Sequence, residues 1–306
     1  MNILIKCLML LLLPVTAAGA QLVMPNDVII NEILFNPSKD GFDYVEGINR
    51  STGAVYLNEL AIANKNGADE IANVRIISKD LLRLDPGALF ILTANEKWLR
   101  QNYWVPASVI IVQLTSMPSF PDDEGVVLLL RKSDSLVIDE VRYSEDWHFR
   151  MIDDAQGVAL ERINFELASQ DKNNWTSASS SSGYGTPGSI NSQYRPNDTG
   201  TAVMSVLPKM FSPNNDGYDD YATISIHLNE RGSLANAVIY DVTGRRIRYL
   251  LKNELLGTTN RFIWDGYDDY GKLLPSGIYI VMTQIFNMEG MVRKFRSCIV
   301  LNSFPP

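Results

Sequence analysis

The sequence predicts an all-β protein in which two β-sandwich domains follow one another behind a signal peptide. Short apolar runs, each bounded by Gly, Pro, Asn, Asp or Ser, recur from residue 28 to the C-terminal region. A polar stretch at residues 191–205 divides these runs into two groups, and an apolar leader precedes both. This spacing is typical of β-sandwiches, because parallel α/β folds alternate their strands with longer helical segments.

The leader is the first element. Lys6 is followed by an apolar run at residues 7–15 and then by Ala18-Gly19-Ala20, whose small side chains fit a signal-peptidase site. We therefore expect a signal peptide over residues 1–20 and a mature chain that begins at Gln21. The run is too short to span a bilayer, and no later apolar stretch approaches the roughly 18 to 20 residues that spanning requires. The mature chain is expected to lack a transmembrane segment and to lie outside the cell or at its outer surface.

The first domain is predicted over residues 21–190. Its strand candidates are apolar runs separated by turn residues, at residues 28–30, 55–57, 88–92, 109–112, 126–130 and 137–141. One short helix is expected at residues 96–103, with Asn95 or Thr93 as its N-cap. A polar linker is expected at residues 191–205.

The second domain is predicted over residues 206–306. Residues 222–228 alternate strictly, which places Ala222, Ile224, Ile226 and Leu228 on one buried face. Further strand candidates at residues 238–240, 246–247, 262–264, 277–281 and 299–301 are joined by turn sequences. About seven strands in about 100 residues predict an immunoglobulin-like sandwich, so we expect two such sandwiches in tandem.

Charge and cysteine content limit the function. The mature chain carries 26 basic and 35 acidic residues; residues 21–204 have a net charge of −10 and residues 205–306 of +1. An acidic domain repels phosphate backbones, so nucleic acid is not expected as a partner. The basic clusters at residues 245–248 and 293–296 are interpreted as solvated strand faces. Cys298 remains alone after leader removal and is expected to be a small buried apolar residue.

Catalytic motifs are absent from the sequence. The only histidines are His148, for which we expect a surface role, and His227, and neither lies in a His-Glu-x-x-His frame. The chain also contains no Gly-x-Ser-x-Gly motif, P-loop or cysteine-rich zinc spacing. We therefore expect a protein that is not an enzyme. A hydrolase that uses two carboxylates remains a less favoured alternative, because no pair of acids is singled out by spacing.

Two acidic loops share the sequence Asp-Gly-Tyr-Asp-Asp, at residues 216–220 and 265–269. In the first loop, Asn214, Asp216 and Asp220 together with backbone carbonyls could supply most of the six to eight oxygens that Ca²⁺ accepts. The alternative is an Asx turn that leads into the next strand. Both interpretations stay open for the first loop, whereas the second loop is expected to be a turn, with Trp264 before it in the core.

Residues 28–190 resemble the lamin-tail domain as found in exported bacterial proteins. The motifs that carry the resemblance are Ile30-Asn31-Glu32, Asn36-Pro37, Asp43-Tyr44-Val45-Glu46, Asn49, Leu84-Asp85-Pro86-Gly87, Leu160-Glu161-Arg162, Asn174-Trp175-Thr176 and Thr186-Pro187-Gly188. The sequence departs from the family at Gly47, where a bulkier residue usually follows the glutamate. The resemblance implies an immunoglobulin-like sandwich without catalytic activity, attached to varied secreted proteins.

Residues 206–301 are similar to the immunoglobulin-like C-terminal domains of gliding-motility-associated and type IX-secreted proteins. The similarity is carried by residues 211–217 (Phe-Ser-Pro-Asn-Asn-Asp-Gly), by Tyr240-Asp241 with Gly244-Arg245, by Trp264-Asp265-Gly266 and by Pro275-Ser276-Gly277-Ile278-Tyr279. The resemblance implies that residues 206–306 direct export across the outer membrane, so the export machinery is an expected partner.

These observations together predict an exported, non-catalytic structural or adhesive module at the cell surface or outside the cell. Its other partner would be a surface protein or a glycan. The main alternative is a carbohydrate-binding or glycan-accessory protein that uses Trp98, Trp104 or Trp147 as stacking platforms. An exposed pair of coplanar rings beside a polar cleft would favour that alternative.

Overall fold

The computed structural model describes residues 22–195, 202–229 and 232–303, and it shows an all-β protein of the sandwich type. The predicted leader, residues 1–20, lies outside the described residues. Within the described ranges, none of the helices has the length and apolar character needed to cross a bilayer.

The first domain contains twelve strands between residues 22 and 195. They are β1 (Val28–Leu34), β2 (Tyr44–Asn49), β3 (Val55–Tyr56), β4 (Leu60–Lys65), β5 (Ile71–Ile76), β6 (Arg83–Leu84), β7 (Leu89–Thr93), β8 (Ile110–Gln113), β9 (Glu124–Arg131), β10 (Val137–Ser144), β11 (Leu160–Arg162) and β12 (Trp175–Ser177). One helix, α1 (Glu96–Asn102), follows β7, and its N-cap Asn95 accepts a hydrogen bond from the backbone N–H of Trp98 at 3.0 Å, as the sequence predicts. Single 3₁₀ turns lie at Leu57–Glu59, Glu145–Trp147, Lys172–Asn174 and Ser180–Ser182.

Two main sheets enclose the core of this domain. The larger sheet has the order β12-β11-β1-β2-β7-β8, and the smaller has the order β10-β9-β4-β5, while β3 and β6 form a separate pair. All pairings are antiparallel except that of β7 with β8. Ile30 and Ile33 of the larger sheet pack with Ile62 and Leu129 of the smaller one in a single buried cluster. Burial of these apolar faces between the two sheets is the main source of stability.

The second domain contains eight strands in its described residues. They are β13 (Val203–Leu207), β14 (Met210–Phe211), β15 (Ala222–His227), β16 (Ser233–Asp241), β17 (Arg246–Leu256), β18 (Thr259–Trp264), β19 (Gly277–Asn287) and β20 (Val292–Leu301). They form a three-stranded sheet, β13-β15-β18, and a five-stranded sheet, β14-β20-β19-β16-β17. The predicted face of Ala222, Ile224, Ile226 and Leu228 is buried, and Trp264 is fully buried beside Phe211 and Tyr279.

Cys298 does not occupy the buried position expected for it. It is exposed on β20, between two strand positions whose side chains point to the core. Ile299 and Leu301 fill the core side of this strand, and alternation then places Cys298 on the outer face.

Residues at the start of the predicted linker pack against the two domains. Asn191 and Gln193 are buried, and β13 begins at Val203. The backbone carbonyl of Ser192 accepts hydrogen bonds from Thr258 through its backbone N–H at 2.7 Å and its hydroxyl at 3.1 Å. Ser180 and Ser181 donate to Leu255 and Asn260 at 2.9 and 2.7 Å. Polar side chains are buried here because each finds a hydrogen-bond partner, which polarity along the sequence does not reveal.

Candidate functional site

The first acidic loop satisfies its own carboxylates. Asp216 Oδ1 accepts a hydrogen bond from the backbone N–H of Tyr218, and its Oδ2 accepts one from the Asn214 amide, both at 2.8 Å. Asp220 accepts from the backbone N–H groups of Asn215 at 2.6 Å and Gly217 at 2.9 Å. These hydrogen bonds lower the pKa of Asp216. The loop geometry is therefore that of linked Asx turns.

The three residues predicted to bind a metal, Asn214, Asp216 and Asp220, thus lie together in one exposed loop. Each carboxylate oxygen accepts one hydrogen bond and retains a lone pair for a second donor or a cation. Within the described ranges, no group of three His, Cys, Asp or Glu side chains is arranged to hold a metal ion. A Ca²⁺ ion here would have to draw further oxygens from Asn214 or from backbone carbonyls, and calcium binding stays a prediction.

In the second acidic loop, the carboxylates also accept hydrogen bonds from the loop and its neighbour. Asp268 Oδ1 accepts from the backbone N–H groups of Tyr270 and Lys272, both at 2.9 Å. Asp269 accepts from the backbone N–H of Tyr249 on β17 at 3.0 Å. These contacts form the predicted turn and attach it to the edge of the five-stranded sheet.

The three candidate stacking tryptophans differ in their surroundings. Trp98 packs edge-on against Phe42 and Tyr103, and Trp147 lies 6.4 Å from Trp175, centroid to centroid. Trp104 is 74% exposed. The structure therefore does not bring these three rings together as a coplanar exposed pair.

His148 lies in the interior instead of at the surface position expected for it. Its Nδ1 is 2.8 Å from the hydroxyl of Ser177, which also accepts the backbone N–H of Phe149 at 3.0 Å. Burial lowers the pKa of His148 to about 4, so the ring is neutral near pH 7. A serine beside a histidine is a nucleophile–base arrangement. Here Ser177 is fully buried, so no substrate reaches it in this conformation.

Glu32, Glu46 and Glu161 form a buried carboxylate cluster, which the sequence motifs do not predict as a site. The three residues lie on adjacent strands β1, β2 and β11, and Glu32 is directly opposite both Glu46 and Glu161. All three are fully buried. Like charges in directly opposed positions are destabilising, so this arrangement requires compensating donors or protons.

Most of the donors come from residues 186–193, which we call the closing segment, and Tyr44 and Asn31 supply the others. Glu32 Oε1 accepts from the Tyr44 hydroxyl at 2.6 Å and from the backbone N–H of Thr186 at 2.8 Å. Glu46 accepts from the Asn31 amide at 2.8 Å and from the backbone N–H of Gly188. Glu161 Oε2 accepts from the hydroxyl of Ser192 at 2.8 Å and from the backbone N–H of Gln193 at 2.9 Å.

A proton count identifies the state of the carboxylate cluster. The hydroxyl oxygen of Thr186 lies 2.8 Å from Glu161 Oε1 and 3.1 Å from Glu32 Oε2. One hydroxyl has one proton to donate, so both contacts are hydrogen bonds only if one carboxyl is protonated. Burial and the charge of Glu161 raise the pKa of Glu32 to about 8. We therefore assign the proton to Glu32, which donates to Thr186, and Thr186 donates to Glu161.

The carboxylate cluster thus performs a structural task. Without a basic side chain among their hydrogen-bond partners in the described structure, the three glutamates hold the closing segment by accepting its donors. Ser192 of the closing segment then contacts Thr258 of the second domain. The three glutamates use their hydrogen-bond acceptors inside the fold. Through the closing segment they link the end of the first domain to the second.

Comparison with known proteins shows no family. No protein-family model matches the chain, and no curated protein matches it. Among solved structures, latent PorU from Porphyromonas gingivalis is 11% identical with a TM-score of 0.28; the match covers 90% of this chain and 20% of PorU. PorZ, a surface component of the type IX secretion system of the same bacterium, is 12% identical with a TM-score of 0.25, over 89% of this chain and 38% of PorZ.

A third similar solved structure matches a shorter part of this chain. FLGD from P. aeruginosa is 22% identical with a TM-score of 0.23, and the match covers 26% of this chain and 62% of that protein. This chain therefore spans less than two thirds of each of these three proteins. At these scores, none of them supports an argument about function.

Proposed function

We propose that the chain is an exported, non-catalytic structural or adhesive module that acts at the cell surface or outside the cell, with residues 206–306 as its export domain. The observation that carries the proposal is the carboxylate cluster. Burial raises the pKa of Glu32 to about 8 and that of Glu46 well above its usual value, and these carboxyl groups bind the closing segment.

The motifs that carry the lamin-tail resemblance support the same interpretation. They supply Glu32, Glu46, Glu161, Thr186 and Gly188, which are members of one buried hydrogen-bond network. Asn174 of the same motif set donates to the backbone carbonyl of Asn164 at 2.9 Å. Motif residues that are used for internal hydrogen bonds fit a scaffold whose binding partner is engaged by its surface.

The export role is tested in the parent cell by localisation of the whole chain and of a chain that ends at residue 205. We expect the whole chain outside the cell or on its surface, and the shortened chain in the periplasm. A point variant in the export domain, Asp241→Ala, tests the same role in a chain of full length. Surface localisation of the shortened chain would contradict the export role while leaving the structural role in place.

A glycan-binding role is the second candidate, and the exposed ring of Trp104 is the observation that favours it. Retention on surface polysaccharide from the parent cell, lost in Trp104→Ala and kept in Trp147→Phe, would establish it. Equal retention of Trp104→Ala and the unmodified chain would exclude this ring as the platform.

A further inference from the structure

The outer face of the five-stranded sheet is unusually apolar for a solvent-facing surface. Strand register places Met210, Val300 and Ile278 in one row across β14, β20 and β19, and Cys298, Ile280 and Tyr240 in the next. Met210 is 58% exposed and Ile278 is 52% exposed. We refer to this surface, with Met282 and Tyr249 in the following row, as the outer face.

The sequence of β19 agrees with burial on both sides. Its residues 278–286 are almost continuously apolar, a composition typical of strands covered on both faces. At one end, Leu234 and Phe286 of the five-stranded sheet pack with Phe149 of the first domain. The remainder is exposed or half-buried, and contiguous exposed apolar surface marks interaction sites in soluble proteins.

The charged residues among the outer-face rows have one sign. Register places Arg246 beside Tyr240, Arg296 beside Met282 and Lys294 beside Gln284. The guanidinium of Arg246 lies over the ring of Tyr249, 4.5 Å from its centroid. Face-to-face pairing of two copies would bring like charges together, so a complementary acidic surface is the better fit.

Such a surface exists on the first domain. Asp122, Asp123, Glu124, Glu145 and Asp146 are all exposed on two adjacent turns, which we call the acidic ridge. The turns are joined by a hydrogen bond from the backbone N–H of Glu145 to the carbonyl of Asp123 at 2.6 Å. None of the five carboxylates forms an ion pair within the described structure. Burial and the negative charge of Asp122 raise the pKa of Asp43 to about 7.

We propose that the outer face binds the acidic ridge of a second copy of this chain, in a head-to-tail contact. Because the two surfaces differ, the contact is heterologous and builds rings or open chains instead of a symmetric dimer. Apolar contact would be supplied by the outer face and orientation by the charges at its edge. The contact does not depend on the export role, since it uses residues of the mature whole chain.

The test is sedimentation velocity of the mature chain over a concentration series at low and high salt. We expect reversible association that weakens with salt, since screening acts over about 10 Å at 0.1 M ionic strength. Reversal of the outer-face charges by Lys294→Glu and Arg296→Glu should weaken association roughly tenfold or more. Reversal of the acidic ridge by Asp122→Lys and Asp123→Lys should do the same, and the combined variant should recover association.

An apolar control distinguishes this surface from others. Ile278→Glu on the outer face should abolish association, while Ile263→Glu, at an equally exposed position of β18 in the other sheet, should not. A chain that stays monomeric at all concentrations would overturn the proposal. A dimer that is strengthened by salt and unaffected by the ridge reversals would also overturn it, because that behaviour indicates symmetric apolar pairing.

Discussion

Arg162 and Asp139 form a buried ion pair around the backbone of Ile30, with Nη2 of the arginine 3.2 Å from Oδ2 of the aspartate. Asp139 Oδ2 accepts the backbone N–H of Ile30 at 2.8 Å, and Arg162 Nε donates to the carbonyl of Ile30 at 2.7 Å. β11 pairs with β1 only at Glu32 and Ile33. At Ile30, the side chains of Arg162 and Asp139 make the backbone hydrogen bonds that a neighbouring strand would otherwise make. Since Asp139 lies on β10, the pair also ties the two sheets together.

Removal of Arg162 should therefore be strongly destabilising. Arg162→Ala leaves Asp139 buried without its cationic partner and the carbonyl of Ile30 without its hydrogen-bond donor. We expect the unfolding free energy to fall by about 3–5 kcal/mol. The measurement is urea denaturation of the whole chain. Arg83→Ala, which breaks an exposed pair with Asp85, is the control and should have a far smaller effect. Equal effects of the two variants would contradict a structural role for the buried pair.

Stability should fall as the pH rises from 6.5 to 8. The pKa of Glu32 is raised to about 8 in the folded state, so the unfolded chain ionises first and the folded state loses stability as pH increases. One such group contributes at most about 1.4 kcal/mol per pH unit. Between pH 4.5 and 6.5, His148 acts in the opposite direction, because its pKa is lowered to about 4 and the unfolded histidine takes up a proton as pH falls.

Glu32→Gln tests the contribution of Glu32 to this slope. A glutamine amide can donate to Thr186 as the protonated glutamate does, so the slope between pH 6.5 and 8 should become shallower. Glu289→Gln, on an exposed hairpin turn, should leave the slope unchanged. Thermal unfolding at several pH values measures it. Burial also raises the pKa of Glu46, so part of the slope should remain. A slope as steep in Glu32→Gln as in the unmodified chain would contradict the proton assignment.

The calcium prediction is tested by chelation. An ion bound only to the folded state, at a hundredfold excess over its dissociation constant, stabilises by about 2.7 kcal/mol. A chelator should then lower the melting temperature of the second domain and leave that of the first domain unchanged. Asp216→Ala should remove the difference and Asp268→Ala should retain it. A melting curve that does not respond to chelator would leave residues 211–220 as a structural turn only.

We expect Gly232 to be required for the close packing of Phe149, in the first domain, against the second domain. Its φ is +61°, and a Cβ atom there would lie 2.7 Å from the ring of Phe149. Gly232→Ala should therefore destabilise by more than the roughly 1–2 kcal/mol expected for left-handed backbone alone. Gly244→Ala is the matched control, since its φ is +83° and its Cβ would meet no atom within 4 Å. Similar losses in the two variants, measured by thermal unfolding, would show that Phe149 moves aside.

Much of the fold could be predicted because it is encoded locally. The alternation at residues 222–228 follows from one buried face, and the helix after β7 follows from its Asn95 cap. The strand β2 was less evident, because Glu46 and Gly47 interrupt its apolar run. Its pairing depends on β1 and β7, and the burial of Glu46 depends on the closing segment, all of which lie elsewhere in the sequence.

The sequence by itself determined the strand runs and the residues of the acidic loops, since each depends on neighbours a few positions away. It also determined the division of charge between the two domains, which is a count of residues along the chain. The tertiary structure alone decided that Glu32, Glu46 and Glu161 meet, that His148 is buried and that Cys298 is exposed. These outcomes depend on strand register and on which sheet covers which face. Register joins residues separated by more than one hundred positions, as in the opposition of Glu32 and Glu161, and local pattern carries no record of that distance.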